Sequence, residues 1–146
     1  MAAANDPLIP WQGLVTMTSV APICANTKGA AKNEFGTVLF RPRLEPEEPA
    51  SAIQFLLDRN AYIFNRTSGN DQMYGSGNYR GTRLGGRATE TNNIRGTYNF
   101  TIDPPGPITK TVEFVTIEGA LTNWGGTAGC TVGFKASLHQ RPDKNP

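Results

Sequence analysis

Few side chains in this sequence are equipped for chemistry. Cys24, Cys130 and the single histidine, His139, are its only thiolate and imidazole ligands. A tetrahedral structural zinc site of the Cys/His type needs four such ligands, so the common Cys/His sets are incomplete and neither a metal nor a cofactor is expected. A serine or cysteine nucleophile needs a histidine base steadied by a carboxylate. His139 falls on the solvent-facing phase of its strand, next to the chain end, and reads as a surface residue. Paired carboxylates for glycoside hydrolysis must face each other across a cleft. Glu45, Glu47 and Glu48 crowd a Pro-rich loop, and Glu113 and Glu118 are five residues apart, which puts them on opposite faces of a regular strand. The expectation is a protein that is not an enzyme.

Two other constellations could bind rather than react. Arg80, Arg83, Arg87 and Arg95 stand against Glu90 alone, with Tyr74 and Tyr79 interleaved. Arginines among aromatics contact phosphates and stack on bases or sugars, and they equally suit an exposed strand edge or a protein contact. The last two uses are favoured. Trp124 lies in a Gly-rich loop and Trp11 at a strand start. A loop-tip tryptophan can anchor a ligand or interface, or cover the open end of a barrel or sandwich, and the covering role is preferred. Gly75, Gly77, Gly81, Gly85 and Gly86 cluster without a following helix, so they do not form a phosphate-binding loop.

Strands must position these residues. Charged residues are 18% of the chain, and 16 Gly with 11 Pro in 146 residues indicate many turns. The clearest alternation is Cys130, Val132, Phe134, Ala136 and Leu138 against Thr131, Gly133, Lys135, Ser137 and His139. It points Cys130 inward. Tyr98, Phe100 and Ile102 alternate likewise and stop at Pro104, Pro105 and Pro107. Residues 111–122 read as a strand joined to the last one by a Gly-rich hairpin loop. Trp11, Val15 and Met17 mark a first strand, and Val38 with Phe40 a shorter one. Residues 78–89 are too Gly-rich to pack a face and read as a bulged edge strand in preference to a long loop. Ser51 and Gln54 form a capping-box pattern compatible with a short helix near 51–60, whereas Ile53, Phe55 and Leu57 alternate as a strand. The strand is preferred.

The expected fold is therefore all-β: a single antiparallel β-sandwich or flattened β-barrel over residues 11–138, with arms at 1–10 and 139–146. A disulfide between Cys24, after the first strand, and Cys130, at the start of the last, would close a loop of roughly 100 residues and contribute up to about 4 to 5 kcal/mol in the chain-entropy model. Two free buried thiols are the alternative. A net charge of +2 is too mild to require nucleic acid or an anionic membrane. No stretch is long and apolar enough to span a bilayer as a helix. The start lacks a secretory signal, so Met1 is either native or stands where a signal was removed.

The order of a first strand ending in a cysteine, an FRPR segment, GTYNFTI, and VEFVTIEGALTNWGGTAGCTVGFKASLHQRP resembles a group of small secreted all-β proteins of uncharacterised function in soil alphaproteobacteria. The likeness runs over Trp11 to Pro142 and is sharpest in the last third. There a Thr-Asn, Gly-rich, Gly-Cys hairpin closes the fold, and Thr122, Asn123, Gly125, Gly126, Gly129 and Cys130 occupy that pattern. The resemblance implies the strand order, the disulfide and a secreted location, and brings no activity. Two classes of function follow. One is a structural subunit contacting other proteins by self-assembly or within a larger shell, such as a virion surface, coat or decoration component. The other is an extracellular or periplasmic binding module for a glycan or protein, with nucleic acid disfavoured.

Overall fold

In the computed structural model the described residues are 10–25, 27, 30–42, 51–66, 73–84, 91–105 and 108–140. The expected arms lie almost wholly outside them, as does the Pro-rich acidic loop. Eight strands follow one another: β1 (Trp11–Val20), β2 (Phe35–Arg41), β3 (Ala52–Leu57), β4 (Asn60–Arg66), β5 (Gly75–Leu84), β6 (Thr91–Asp103), β7 (Phe114–Leu121) and β8 (Val132–Gln140). Each pairs antiparallel with the next, and β8 returns to β1, closing the sheet into a barrel. Of the two architectures expected, the barrel is the one formed. β8 runs to Gln140, two residues into the expected C-terminal arm.

The helix alternative near 51–60 is not formed. Ile53, Phe55 and Leu57 are buried while Leu56 is exposed, the period of a strand. Asp58 and Arg59 then turn the chain with φ of 50° and 62°. Two successive left-handed residues give the turn whose twist matches a tight hairpin. Asn60 holds it by donating from Nδ2 to the Asp58 carbonyl at 2.6 Å.

The interior of an eight-stranded barrel is just wide enough for side chains to fill, and here large rings fill it. Room for them comes from glycines directly across the ladder. Tyr98 is registered opposite Gly77, Tyr79 opposite Gly96, Phe64 opposite Gly81 and Phe100 opposite Gly119. A methyl group built on Gly77 would lie 2.7 Å from Tyr98 Oη, one on Gly96 2.8 Å from the Tyr79 ring, and one on Gly119 2.7 Å from the Phe100 ring. Each ring lies over the backbone of the neighbouring strand, so ring and glycine work as one unit. Edge-to-face contacts then link the rings: Phe64 to Tyr79 at 4.9 Å, Phe55 to Phe134 at 5.0 Å and Phe100 to Phe134 at 5.1 Å. Such pairs add about 0.5–1.5 kcal/mol each beyond the area they bury.

This corrects the edge-strand reading of residues 78–89 over 78–84, residues 85–89 lying outside the described residues. β5 is not an edge: it is paired with β4 on one side and β6 on the other. Gly77 and Gly81 pack a face by making way for Tyr98 and Phe64 on its neighbours. A register shift between Gly81 and Arg83 marks the expected bulge.

Rings point inward, and Arg80, Arg95, Glu118 and Lys135 are exposed on the outer face. Among the described residues no helix is long and apolar enough to cross a membrane.

Gly81→Ala places a methyl group 2.9 Å from Phe64 Cδ1 and 3.0 Å from the Ile63 carbonyl oxygen. Overpacking of this kind costs about 1–3 kcal/mol. Urea unfolding should show the midpoint falling with little change in slope.

Candidate functional site

One mouth of the barrel is sealed covalently. After β1, Ala21 N–H donates to the Thr131 carbonyl at 3.0 Å, and Pro22–Cys24 form a 3-10 turn. Cys24 is bonded to Cys130 with their Cα atoms 5.0 Å apart, and both are fully buried. The disulfide is thus the expected pair, but it joins the turn after β1 to the loop before β8 rather than two strands. β8 opens at Val132, because Cys130 spends its backbone groups inside the loop: its N–H donates to the Thr127 carbonyl and its carbonyl accepts from Trp124 N–H, both at 3.0 Å. Thr27 and Thr127 add a hydroxyl–hydroxyl hydrogen bond of 2.7 Å across the same junction.

The loop clamped there carries Trp124 into the barrel. Asn123 turns it with φ of 56° and Gly125 with φ of 63°. Asn123 also fixes it with both ends of its amide, donating to the Arg95 carbonyl at 2.8 Å and accepting from Gly129 N–H at 2.9 Å. Trp124 stacks on Tyr62 with centroids 4.5 Å apart and leans on Phe64 at 5.3 Å and Phe55 at 5.7 Å. It is fully buried, so it covers the barrel end, as preferred, and is not a contact residue. Trp11 is buried too, donating from Nε1 to the Val112 carbonyl at 3.0 Å.

The arginine–tyrosine constellation does not assemble into one surface. Tyr79 is buried and its hydroxyl donates to the Thr122 carbonyl. Tyr74 is half-buried and packs against the core. Arg83 is half-buried, with one guanidinium nitrogen 3.3 Å from Asn60 Oδ1. The interleaving that resembles a stacking platform is the in–out alternation of β5, which sends Tyr79 to the core and Arg80 to solvent. Arg80 and Arg95 do meet: both are exposed, and they sit directly opposite each other across β5 and β6. Arg87 and Glu90 lie outside the described residues. Nor are these arginines on a sheet edge, since the closed barrel has none.

The acids and the histidine face outward. Glu113 and Glu118 are exposed, Glu118 directly opposite Lys135. Exposed His139 lies opposite Phe114, with Nδ1 3.3 Å from the Gln140 carbonyl.

A different surface emerges on the other side of the barrel. Leu14, Phe35, Leu56 and Phe114 are 62%, 72%, 48% and 70% exposed. Register places Leu14 between Ser137 and Thr37, and Thr37 in turn opposite Leu56. The next row holds His139, Gln12, Leu39 and Gln54, with Phe114 beyond His139. These two rows line a groove of about 710 Å³ that carries no Asp, Glu, Lys or Arg. The sequence reading missed this wall. Its signal was an apolar residue on the solvent-facing phase of each strand: Leu14 against Val15 and Met17, Phe35 against Val38 and Phe40, Leu56 against Phe55 and Leu57, Phe114 against Val115 and Ile117.

Burial perturbs three ionisable groups. Desolvation drives the Tyr62 phenol well above its usual value, with Arg83 opposing and Asp58 and Glu34 reinforcing the rise. Tyr79 is raised by burial alone. Glu34 is raised by burial and then by the charge of Asp58, against a backbone hydrogen bond at Ala31. All three belong to packing at or near the sealed mouth.

Comparison of the chain with family models, with curated proteins and with solved structures yields no match.

Two measurements test the sealed mouth. The bridge closes a sequence separation of 106 residues, a span for which the chain-entropy model gives about 4–5 kcal/mol. Cys24→Ser with Cys130→Ser should therefore lose up to that much stability, and intact mass should show alkylation only after reduction. The tyrosines give a pH limit. Because Tyr62 and Tyr79 bind their protons more tightly folded than unfolded, their contribution is complete below about pH 10, the unfolded value. It is lost as pH rises above that. Phenolate absorbance from these two rings should appear only together with loss of the circular dichroism of the fold.

Proposed function

We propose that this protein is a non-enzymatic β-barrel that works by contact, as a subunit of a larger protein assembly. The observation that carries the reading is the groove lined by Leu14, Leu39 and Leu56 among neutral polar residues, with exposed Phe35 and Phe114 at its flanks. Single exposed apolar residues are ordinary, but several gathered on one face among polar side chains mark a surface suited to being covered. Aromatic rings fill the interior and Trp124 closes one mouth, which leaves the outer wall as a surface for recognition among the described residues. Closure also removes the strand edges through which many β-proteins associate. Among the described residues, contact is then left to run face to face, which suits a subunit packed side by side with neighbours, as in a virion surface, coat or decoration layer.

The disulfide supports an oxidising location, extracellular or periplasmic, since such bonds persist there and are rare in the cytosol. The resemblance to small secreted alphaproteobacterial proteins agrees with that placement.

A second reading has its own support. Arg80 and Arg95, directly opposite on the outer wall, are like charges in a position where mutual repulsion is unfavourable. An acidic glycan or an acidic protein segment bridging them would relieve it, giving a secreted or periplasmic binding module.

Native mass and negative-stain imaging of material from the natural source separate the two. The assembly reading predicts a particle, filament or larger complex containing the chain. A monodisperse monomer that binds an acidic glycan, and loses that binding in Arg80→Gln with Arg95→Gln, would overturn it.

A further inference from the structure

The apolar wall carries a projection and a recess side by side. The recess is the groove over β8, β1, β2 and β3, lined by Leu14, Leu39 and Leu56 with Gln12, Gln54 and His139 among its polar members. The projections are Phe114, beside His139 at one flank, and Phe35, two residues along β2 from Thr37 at the other. Both rings are at least 70% exposed. Under a two-fold axis each copy can therefore seat a phenylalanine in the groove of the other, and the same contact occurs twice.

Charge and area agree with this occupant. The groove lining holds no formally charged side chain, so two copies can be laid groove to groove without juxtaposing like charges within it, which is unfavourable. The amides of Gln12 and Gln54 each both donate and accept, so they can pair with the same groups on a second copy. At roughly 200 Å² for a large side chain, the four exposed apolar residues present on the order of 500 Å² of surface. A standard interface buries about 800 Å² per partner, of which some 55–65% is apolar. The wall thus supplies about the apolar area that one standard two-fold interface requires.

We infer that a second copy of this chain covers the wall of β8, β1, β2 and β3, each copy seating Phe35 or Phe114 in the other's groove. The inference rests on the assembly reading and specifies the partner and the surface.

Sedimentation velocity over a concentration series tests it on the full chain with its disulfide intact. Wild-type protein should sediment as a dimer, or as a larger species built from dimers. Leu14→Glu with Leu56→Glu should weaken self-association by roughly tenfold or more, the effect of losing central interface side chains. Leu14→Thr with Leu56→Thr, which keeps β propensity, should weaken it in the same direction if the glutamate variant does not fold. Asn99→Glu, on the opposite wall, should leave the dimer unchanged. A wild-type monomer up to about 1 mM overturns the inference, since the contact would then be weaker than about 4 kcal/mol; the wall would fall to a different protein. A dimer or particle indifferent to Leu14 and Leu56 also overturns it while leaving the assembly reading intact.

Discussion

Everything in this fold follows from the need to fill a closed eight-stranded barrel. The interior admits side chains and little else, yet the chain sends in Tyr62, Phe64, Tyr79, Tyr98, Phe100 and Phe134. They fit because several face glycine across the ladder, so a ring occupies the volume of two side chains. That constraint accounts for Gly77 and Gly81 on β5, for Gly96 on β6 and Gly119 on β7, and for the inward phase of the last strand. It also accounts for the tryptophan loop. A barrel packed with rings still has a mouth, and Trp124 stacked on Tyr62 extends the aromatic column to its end. The disulfide and the Asn123 amide hold the loop that carries it.

Filling the interior narrows what the molecule can do. The ladder is closed, so it offers no strand edge, and the core is occupied by the rings that stabilise it. The perturbed tyrosines are consequences of that packing. Burial favours the neutral form of both phenols, and the Tyr79 hydroxyl donates to the Thr122 carbonyl. What remains is the outside, and the outside is asymmetric. On β5 and β6 it presents Arg80, Arg95, Asn99 and Thr101, whereas around the groove it presents leucines, phenylalanines and neutral polar groups. A surface divided in that way fits a protein that touches a neighbour on one side and solvent on the other.

Much of the fold was legible because alternation reports burial directly. The core phases of β1, β6 and β8 and the Cys24–Cys130 pair were all readable. β5 was not, because a glycine across from a ring looks the same in sequence as a glycine in a flexible loop, and the ring that gives it meaning is on another strand. The β3–β4 hairpin was obscured because its turn is Asp58-Arg59, two non-glycine residues in left-handed conformation. The contact residues proposed from sequence mostly dissolved on folding. Tyr79 was read as exposed by its polar, Gly-rich neighbours, but the alternation of β5 turns it inward, while Trp124 takes the covering role preferred for it over ligand contact. The apolar wall escaped notice because its members come from four strands, each contributing a residue that reads as core until its phase is compared with that of its neighbours.

Hydroxyl-radical footprinting of the protein, dilute and in its assembled form, tests the account most directly because it reads side-chain exposure residue by residue. In dilute protein Phe35 and Phe114 should be oxidised readily while Trp124 and Tyr62 are spared. In the assembly Phe35 or Phe114 should lose most of that reactivity. Rapid oxidation of Trp124 in the dilute, disulfide-bonded protein, or phenylalanines equally reactive in both states, would contradict it.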